Sequence, residues 1–291
     1  MQKNTLSKAL AACGSPDTLV AAILAHYPDL RAPVQIEPIA HDAGISECGD
    51  IDEKGIVCAT LSDVEKTKGV LQSAAGLSAQ RRRFANAHAL GHYLLKAHRG
   101  DRRCTNRDLG EKRTDTPHRK EEMQANRFAA GLLMPKPWFV DFVADLGKPT
   151  VAHMPMIAAE YDVSLEAAAG RYVELTQGMY ALVFVKDGVV RYMRLSRSFP
   201  TTSIRAGDPA PAAIAAVGPQ DKIAWLPANV RDWVLMSRDM RPPKVTMQVL
   251  SKENGFQLVM LFINAAAEKR ADEEAEKAAM GGPKFGDGRR G

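Results

Sequence analysis

The sequence predicts an α+β protein, on three observations. The first is a stretch from Arg82 to Pro135, RRFANAHALGHYLL followed by a basic loop and EEMQANRFAAGLLMP, which reads as two helices. The second is a pair of short apolar runs, GIVCATL (55–61) and KGVLQSA (68–74), which read as strands. The third is a change of pattern at Gly178. Beyond it, strand runs pair across Asp187-Gly188 and Asn254-Gly255, dipeptides suited to hairpin turns. These observations divide the chain into a first domain over 1–177, a small α+β domain over 178–264, and a charged tail over 265–291 that is helical or disordered.

Composition sets the frame. The 291 residues are 45% apolar and 25% charged, which is ordinary for a soluble globular protein. No window approaches a membrane span, and MQKNTLSKAL lacks a secretory apolar region, so a cytoplasmic protein without membrane contact is expected. Cys13, Cys48, Cys58 and Cys104 form no C-x-x-C pair, which fits a reducing setting. Cys104 lies near His98 and could be a stray ligand, but it is read as a free thiol, because no closed four-ligand spacing surrounds it. The net charge of +5 gathers at Arg81 to Arg83, in the loop from Lys96 to Lys120, and at Arg289 and Arg290. Charged runs of this kind are usually solvated surface, although nucleic acid is the other partner they suit.

Taken in order, residues 3–28 give one or two short helices, broken at Gly14-Ser15-Pro16. Residues 33–45 give an extended segment and a short helix closing at Gly44, with His41 on its surface. The two strands follow. An open edge of their sheet beside the next helix would offer backbone groups to an extended peptide. A helix from about Ser78 to His98 has Phe84, Ala87, Leu90, Gly91, Leu94 and Leu95 on its apolar face. Gly91 costs about 1 kcal/mol there relative to alanine, which points to a close approach by another backbone or by substrate.

The charged segment 99–118 reads as a long loop, disordered in preference to a lid that orders on substrate. A helix from about Arg119 to Leu133 stops at Met134-Pro135. Residues 138–176 read as wholly helical. Within them 150–176 has a helix-turn-helix outline, with Ser164 as a cap and Glu166 in the first turn of the second helix. That second helix offers one arginine and few groups for base edges, so a helical hairpin is preferred to direct DNA binding. In the last domain Trp225 and Trp233 are assigned to core packing rather than to a ligand pocket.

The chemistry lies in the central stretch. His88 and His92, four apart on a helix, present both imidazoles on one face at metal-ligand spacing. Glu121 and Glu122 open the next helix, and one of them can supply an oxygen ligand. The zinc-peptidase motif H-E-x-x-H places a glutamate after its first histidine, to take a proton from water at the metal. Here that position is Ala89. Metal binding and catalysis therefore separate.

The stretch resembles the ImmA/IrrE family of metallopeptidases. The resemblance is carried by Arg83-Phe84, Ala87-His88, Leu90-Gly91-His92-Tyr93-Leu94-Leu95, and the E-x-x-A-N-x-F-A-x-x-L-L-M-P of Glu122 to Pro135. It is strongest over 80–137 and looser over 30–176. It implies a zincin-like fold with Zn2+ held by His88, His92 and Glu122, and water in the fourth position. It also implies endoproteolysis of an Xre-like helix-turn-helix repressor, which releases the repressed genes in mobile elements or under stress. The family's general base falls on Ala89, which has no titratable group. Glu121 is the one nearby acid on the second helix. Two origins fit Ala89: a substitution introduced into an active peptidase, or a natural pseudopeptidase that binds a repressor or DNA without cutting. The last domain is similar in position to the sensor-like (GAF or PAS-type) domain of some IrrE proteins.

Overall fold

The structure is a computed structural model that describes residues 3–111, 113–215, 217, 223, 225–237, 241–252, 254–264, 268–270 and 273. The expected tail lies almost wholly outside the described residues. The chain falls into two compact units, 1–147 with 153–171 and 148–152 with 172–291. No helix among the described residues is long and apolar enough to cross a membrane.

The first unit opens with α1 (Lys3–Ala11) and α2 (Pro16–His26). The break between them is chemical. Pro16 suits a first helical position, and Ser15 and Thr18 form a reciprocal capping box. Next come α3 (Ile36–Asp42), β1 (Ile45–Ile51), β2 (Ile56–Ser62) and β3 (Gly69–Ala74). β1 carries two acids and a glycine in seven residues, and its middle is exposed, so it lacked the alternation that marks a strand. It pairs parallel with β3, whereas β2 pairs antiparallel with β3.

α4 (Ala79–Leu94) is capped by Ser78 and is buried continuously from Ala85 to Leu94. The expected extension to His98 does not form, because Leu95 turns to extended backbone. α4 packs on β2 and β3 and against α5 (Pro117–Leu133). Gly91 marks that second contact. A Cβ there would meet Phe128 Cδ1 at 3.0 Å and Ala125 Cα at 3.3 Å, so the close neighbour inferred from the sequence is another helix.

The segment expected to be a disordered loop is built. It contains β4 (Arg102–Thr105), which pairs antiparallel with β2, and a short 3-10 turn at Asp108–Gly110. The sheet order is β1-β3-β2-β4, so β1 and β4 are its edges. α6 (Lys136–Leu146), α7 (His153–Glu160) and α8 (Leu165–Leu175) follow, the last pair keeping the helix-turn-helix outline.

The second unit is a five-stranded sheet in the order β6-β5-β9-β8-β7. Its strands are β5 (Met179–Lys186), β6 (Val189–Leu195), β7 (Leu226–Pro227), β8 (Val245–Ser251) and β9 (Phe256–Ile263), with one helical turn, α9 (Ala212–Ala215). Both hairpins fall where the turn dipeptides placed them. Asp187 (φ 51) and Gly188 (φ 75) are both left-handed, as a two-residue turn matching strand twist requires. Trp233 is 1% exposed within a core of Val183, Val185, Phe199, Val245 and Leu261. Trp225 is 39% exposed and departs from the expected core role.

Candidate metal centre

Two helices and one strand converge on a buried cluster. His88 and His92, one turn apart on α4, bring their Nε2 atoms to 3.1 Å of each other. Glu122 reaches in from the second turn of α5, with Oε2 at 3.1 Å from His88 Nε2 and 3.2 Å from His92 Nε2. All three side chains are at most 1% exposed. The residues expected to act together are thus adjacent, and they could hold a metal.

Neighbouring groups fix which ring nitrogens face the centre. Asn126 Nδ2 donates to Asp108 O at 2.8 Å and Glu111 O at 3.2 Å, which leaves its Oδ1 as an acceptor 2.9 Å from His88 Nδ1. His88 therefore carries its proton on Nδ1 and directs the Nε2 lone pair inward. A longer chain sets His92. Gln124 Oε1 accepts from His98 Nε2 at 3.0 Å, so His98 Nδ1 accepts from His92 Nδ1 at 3.0 Å. The His92 Nε2 lone pair then also faces inward. Such outer partners orient ligand histidines and fix their tautomer.

Three acceptors thus meet with one weak donor beside them, the Cys104 thiol 3.6 Å from His92 Nε2, which is costly in a buried site unless a cation joins them. Without a metal, a proton is the only cation at hand, and the site is shaped to take one. Burial alone would lower His88, but Cys104 and Glu122 beside it push it up to about 9. Burial, with the charge of His88, pushes His92 down to about 4. Burial would raise the Glu122 carboxyl, yet hydrogen bonds and charge from His88 and His92 hold it below the ordinary carboxylate range.

One placement revises the sequence reading, and two agree with it. Cys104, expected as a free thiol apart from the site, lies on β4 with Sγ 3.6 Å from His92 Nε2. It is 1% exposed and belongs to the same donor cluster as His88, His92 and Glu122. The sequence hid this because RRCT sits in a charged segment with no strand pattern. Glu121 points elsewhere, in an ion pair with Arg102 Nη2 at 2.7 Å. Arg171, the one arginine of the second helix of the helix-turn-helix outline, is 7% exposed and donates to Met134 O at 3.0 Å, which agrees with the helical hairpin preferred over DNA binding.

Ala89 is 1% exposed, and its carbonyl accepts from Thr60 Oγ1 at 2.8 Å. At the outer side of the cluster, His118 lies 3.7 Å from Glu122 Oε1 through Nδ1 and 3.3 Å from Asp108 Oδ1 through Nε2. His98, Gln124 and Asn126 went unassigned in the sequence. The i,i+4 spacing of Glu122 and Asn126 was the one signal that could have found any of them.

Comparison with known proteins agrees with this geometry. Residues 53–172 match the peptidase family model described as the IrrE N-terminal-like domain, a span that contains every residue of the cluster. Among solved structures the chain is similar to a Mycobacterium tuberculosis transcriptional regulator, at 15% identity and a TM-score of 0.54, over 99% of this chain and 97% of that one. At that identity the likeness is one of fold. No curated protein matches. With paired histidines on one helix, a glutamate on the next, and alanine where the zinc-peptidase motif has glutamate, residues 53–172 are similar to the IrrE N-terminal-like domain of that peptidase family.

Proposed function

We propose that the chain is a zinc-holding regulator on a peptidase scaffold, which engages an Xre-like helix-turn-helix repressor and has lost most or all peptide-bond turnover. One observation carries this: a complete, buried donor set stands beside a methyl group where the base belongs. His88, His92 and Glu122 offer three inward lone pairs, held in place by Asn126 and His98. Zinc bound there would supply Lewis-acid polarisation.

The proton step is what the chain lacks. Ala89 cannot accept a proton, and Glu121 is tied to Arg102 rather than aimed at the cluster. Losing a positioned general base costs about 10²–10⁴-fold in rate. The parent activity on this reading is zinc-dependent endoproteolysis of the repressor, which derepresses its genes. The intact donor set favours that ancestry, because drift after loss of function would erode ligands as well.

The test pairs this chain with Ala89→Glu. Zinc content is measured in both, and each is mixed with a candidate Xre-like repressor. The expected result is stoichiometric zinc in both and repressor bound but uncut by this chain. Cleavage by the unaltered chain overturns the reading, as does failure to bind either zinc or repressor.

A further inference from the structure

We propose that Cys104 is a fourth metal ligand, which closes the centre with a thiolate where an active peptidase keeps an open position. The inference deepens the reading above and rests on it for the presence of a metal.

The argument is geometric. A tetrahedral zinc site has bonds of about 2.0–2.1 Å to nitrogen or oxygen and about 2.3 Å to sulfur. The edges of that tetrahedron are then about 3.3 Å between nitrogen and oxygen donors and about 3.6 Å from nitrogen to sulfur. The cluster shows 3.1 Å from His88 Nε2 to His92 Nε2, and 3.1 Å and 3.2 Å from those atoms to Glu122 Oε2. The sulfur edge, Cys104 Sγ to His92 Nε2, is 3.6 Å. All four donor atoms lie within 4.8 Å of one another. In the metal-free chain the thiol is within hydrogen-bond distance of the His92 Nε2 lone pair, and loss of its proton would leave the sulfur at a donor's edge length from that nitrogen.

The backbone explains the placement. β4 pairs with β2, the strand on which α4 packs, and Cys104 stands directly opposite Cys58 there. Charge agrees as well. One thiolate and one carboxylate with two neutral imidazoles balance a dication, so the closed site is neutral inside the fold. Four protein donors are the mark of a structural zinc site, whereas catalytic ones keep three and an open position. Ala89 and Cys104 thus have the same consequence: one removes the base, and the other fills the place of the water on which it would act.

The probe is Co(II) alone, added to the full metal-free chain, to Cys104→Ser and to Cys58→Ser. The expected spectrum has a near-ultraviolet thiolate-to-Co(II) charge-transfer band in the unaltered chain and in Cys58→Ser. The band disappears in Cys104→Ser, whose affinity falls tenfold or more. X-ray absorption on the zinc-loaded unaltered chain needs no variant, and should show one sulfur among the donors. Metal binding without a thiolate band and without a sulfur donor overturns the Cys104 assignment alone. A chain that binds neither Co(II) nor zinc overturns the reading beneath it.

Discussion

Lys66 holds the end of the helix that carries His92. Its Nζ donates to His92 O at 2.7 Å and to Leu95 O at 2.9 Å, the carbonyls that a helix C-terminus leaves without partners. Tyr93 completes the link by donating its hydroxyl to Lys66 O at 2.8 Å. Replacing Lys66 with methionine keeps the stem and removes both bonds. Stability should fall by about 1–2 kcal/mol, read by urea denaturation.

The same residue sets a pH dependence. Burial first, then the charge of Arg102, lowers the Lys66 ammonium to about 8 from 10.5, against a smaller opposing pull from Glu121. Below pH 8 both folded and unfolded chains are charged here, and the folded one carries the full penalty. Between about 8 and 10.5 the unfolded chain binds the proton and the folded one does not, so stability rises with pH. The gap between the unaltered chain and Lys66→Met should widen across that window in parallel denaturation curves. A gap that narrows would contradict the assignment.

Asn126→Ala should weaken metal binding by about 10–100-fold, because it releases His88 Nδ1 from the acceptor that fixes its tautomer. It also frees the carbonyls of Asp108 and Glu111, so proteolysis within 105–116 should quicken. Competition against a chromophoric chelator reads the first effect, and limited proteolysis the second.

Gly91→Ala tests the helix contact. Alanine favours a helix by about 1 kcal/mol. Its Cβ, however, would press on Phe128 at 3.0 Å and on the Ala125 backbone at 3.3 Å, and backbone cannot swing aside. Overpacking of this kind costs about 1–3 kcal/mol. A net loss of stability is expected by thermal unfolding, together with weaker metal binding, since α4 and α5 supply opposite sides of the site.

Asp162 sits in left-handed backbone, φ 47, and its carboxylate pairs with Arg83, which also donates to Val34 O at 2.8 Å. The Arg83 hydrogen bond holds the carboxyl below its usual 3.8. Asn tolerates the same backbone, so Asp162→Asn removes the charge alone. The pair is partly solvated, and the loss at neutral pH should be about 1 kcal/mol or less. The sign follows from the lowered value: the contribution is present above 3.8 and fades as pH falls through the folded-state value. Acid denaturation curves of the two proteins should therefore converge below that point.

The sequence made some of this legible and hid the rest for physical reasons. His88, His92 and Glu122 were visible because a helix turns spacing into position. The hairpin at Asp187-Gly188 was visible because its two left-handed residues restrict what can stand there. Cys104 was hidden because its strand is four residues long and bordered by arginines, and only pairing with β2 makes it a strand. His98 was placed inside a helix that ends at Leu94, and its role depends on Gln124, which comes from another element. β1 was missed because parallel pairing with β3, not its own residues, gives it form.

The polar stitching of the segment between α4 and α5 has a kinetic consequence. Thr105 binds Asp108 through both its amide and its hydroxyl, at 2.8 Å each, and Asn126 binds the carbonyls of Asp108 and Glu111. With every donor of the centre buried beneath such a clasp, an ion there does not exchange by simple diffusion. Its residence time is set by how often the clasp opens, and local openings of this kind are far slower than a collision with chelator. Exchange of the ion then keeps pace with those openings, and a competing chelator reports the affinity only once many openings have passed.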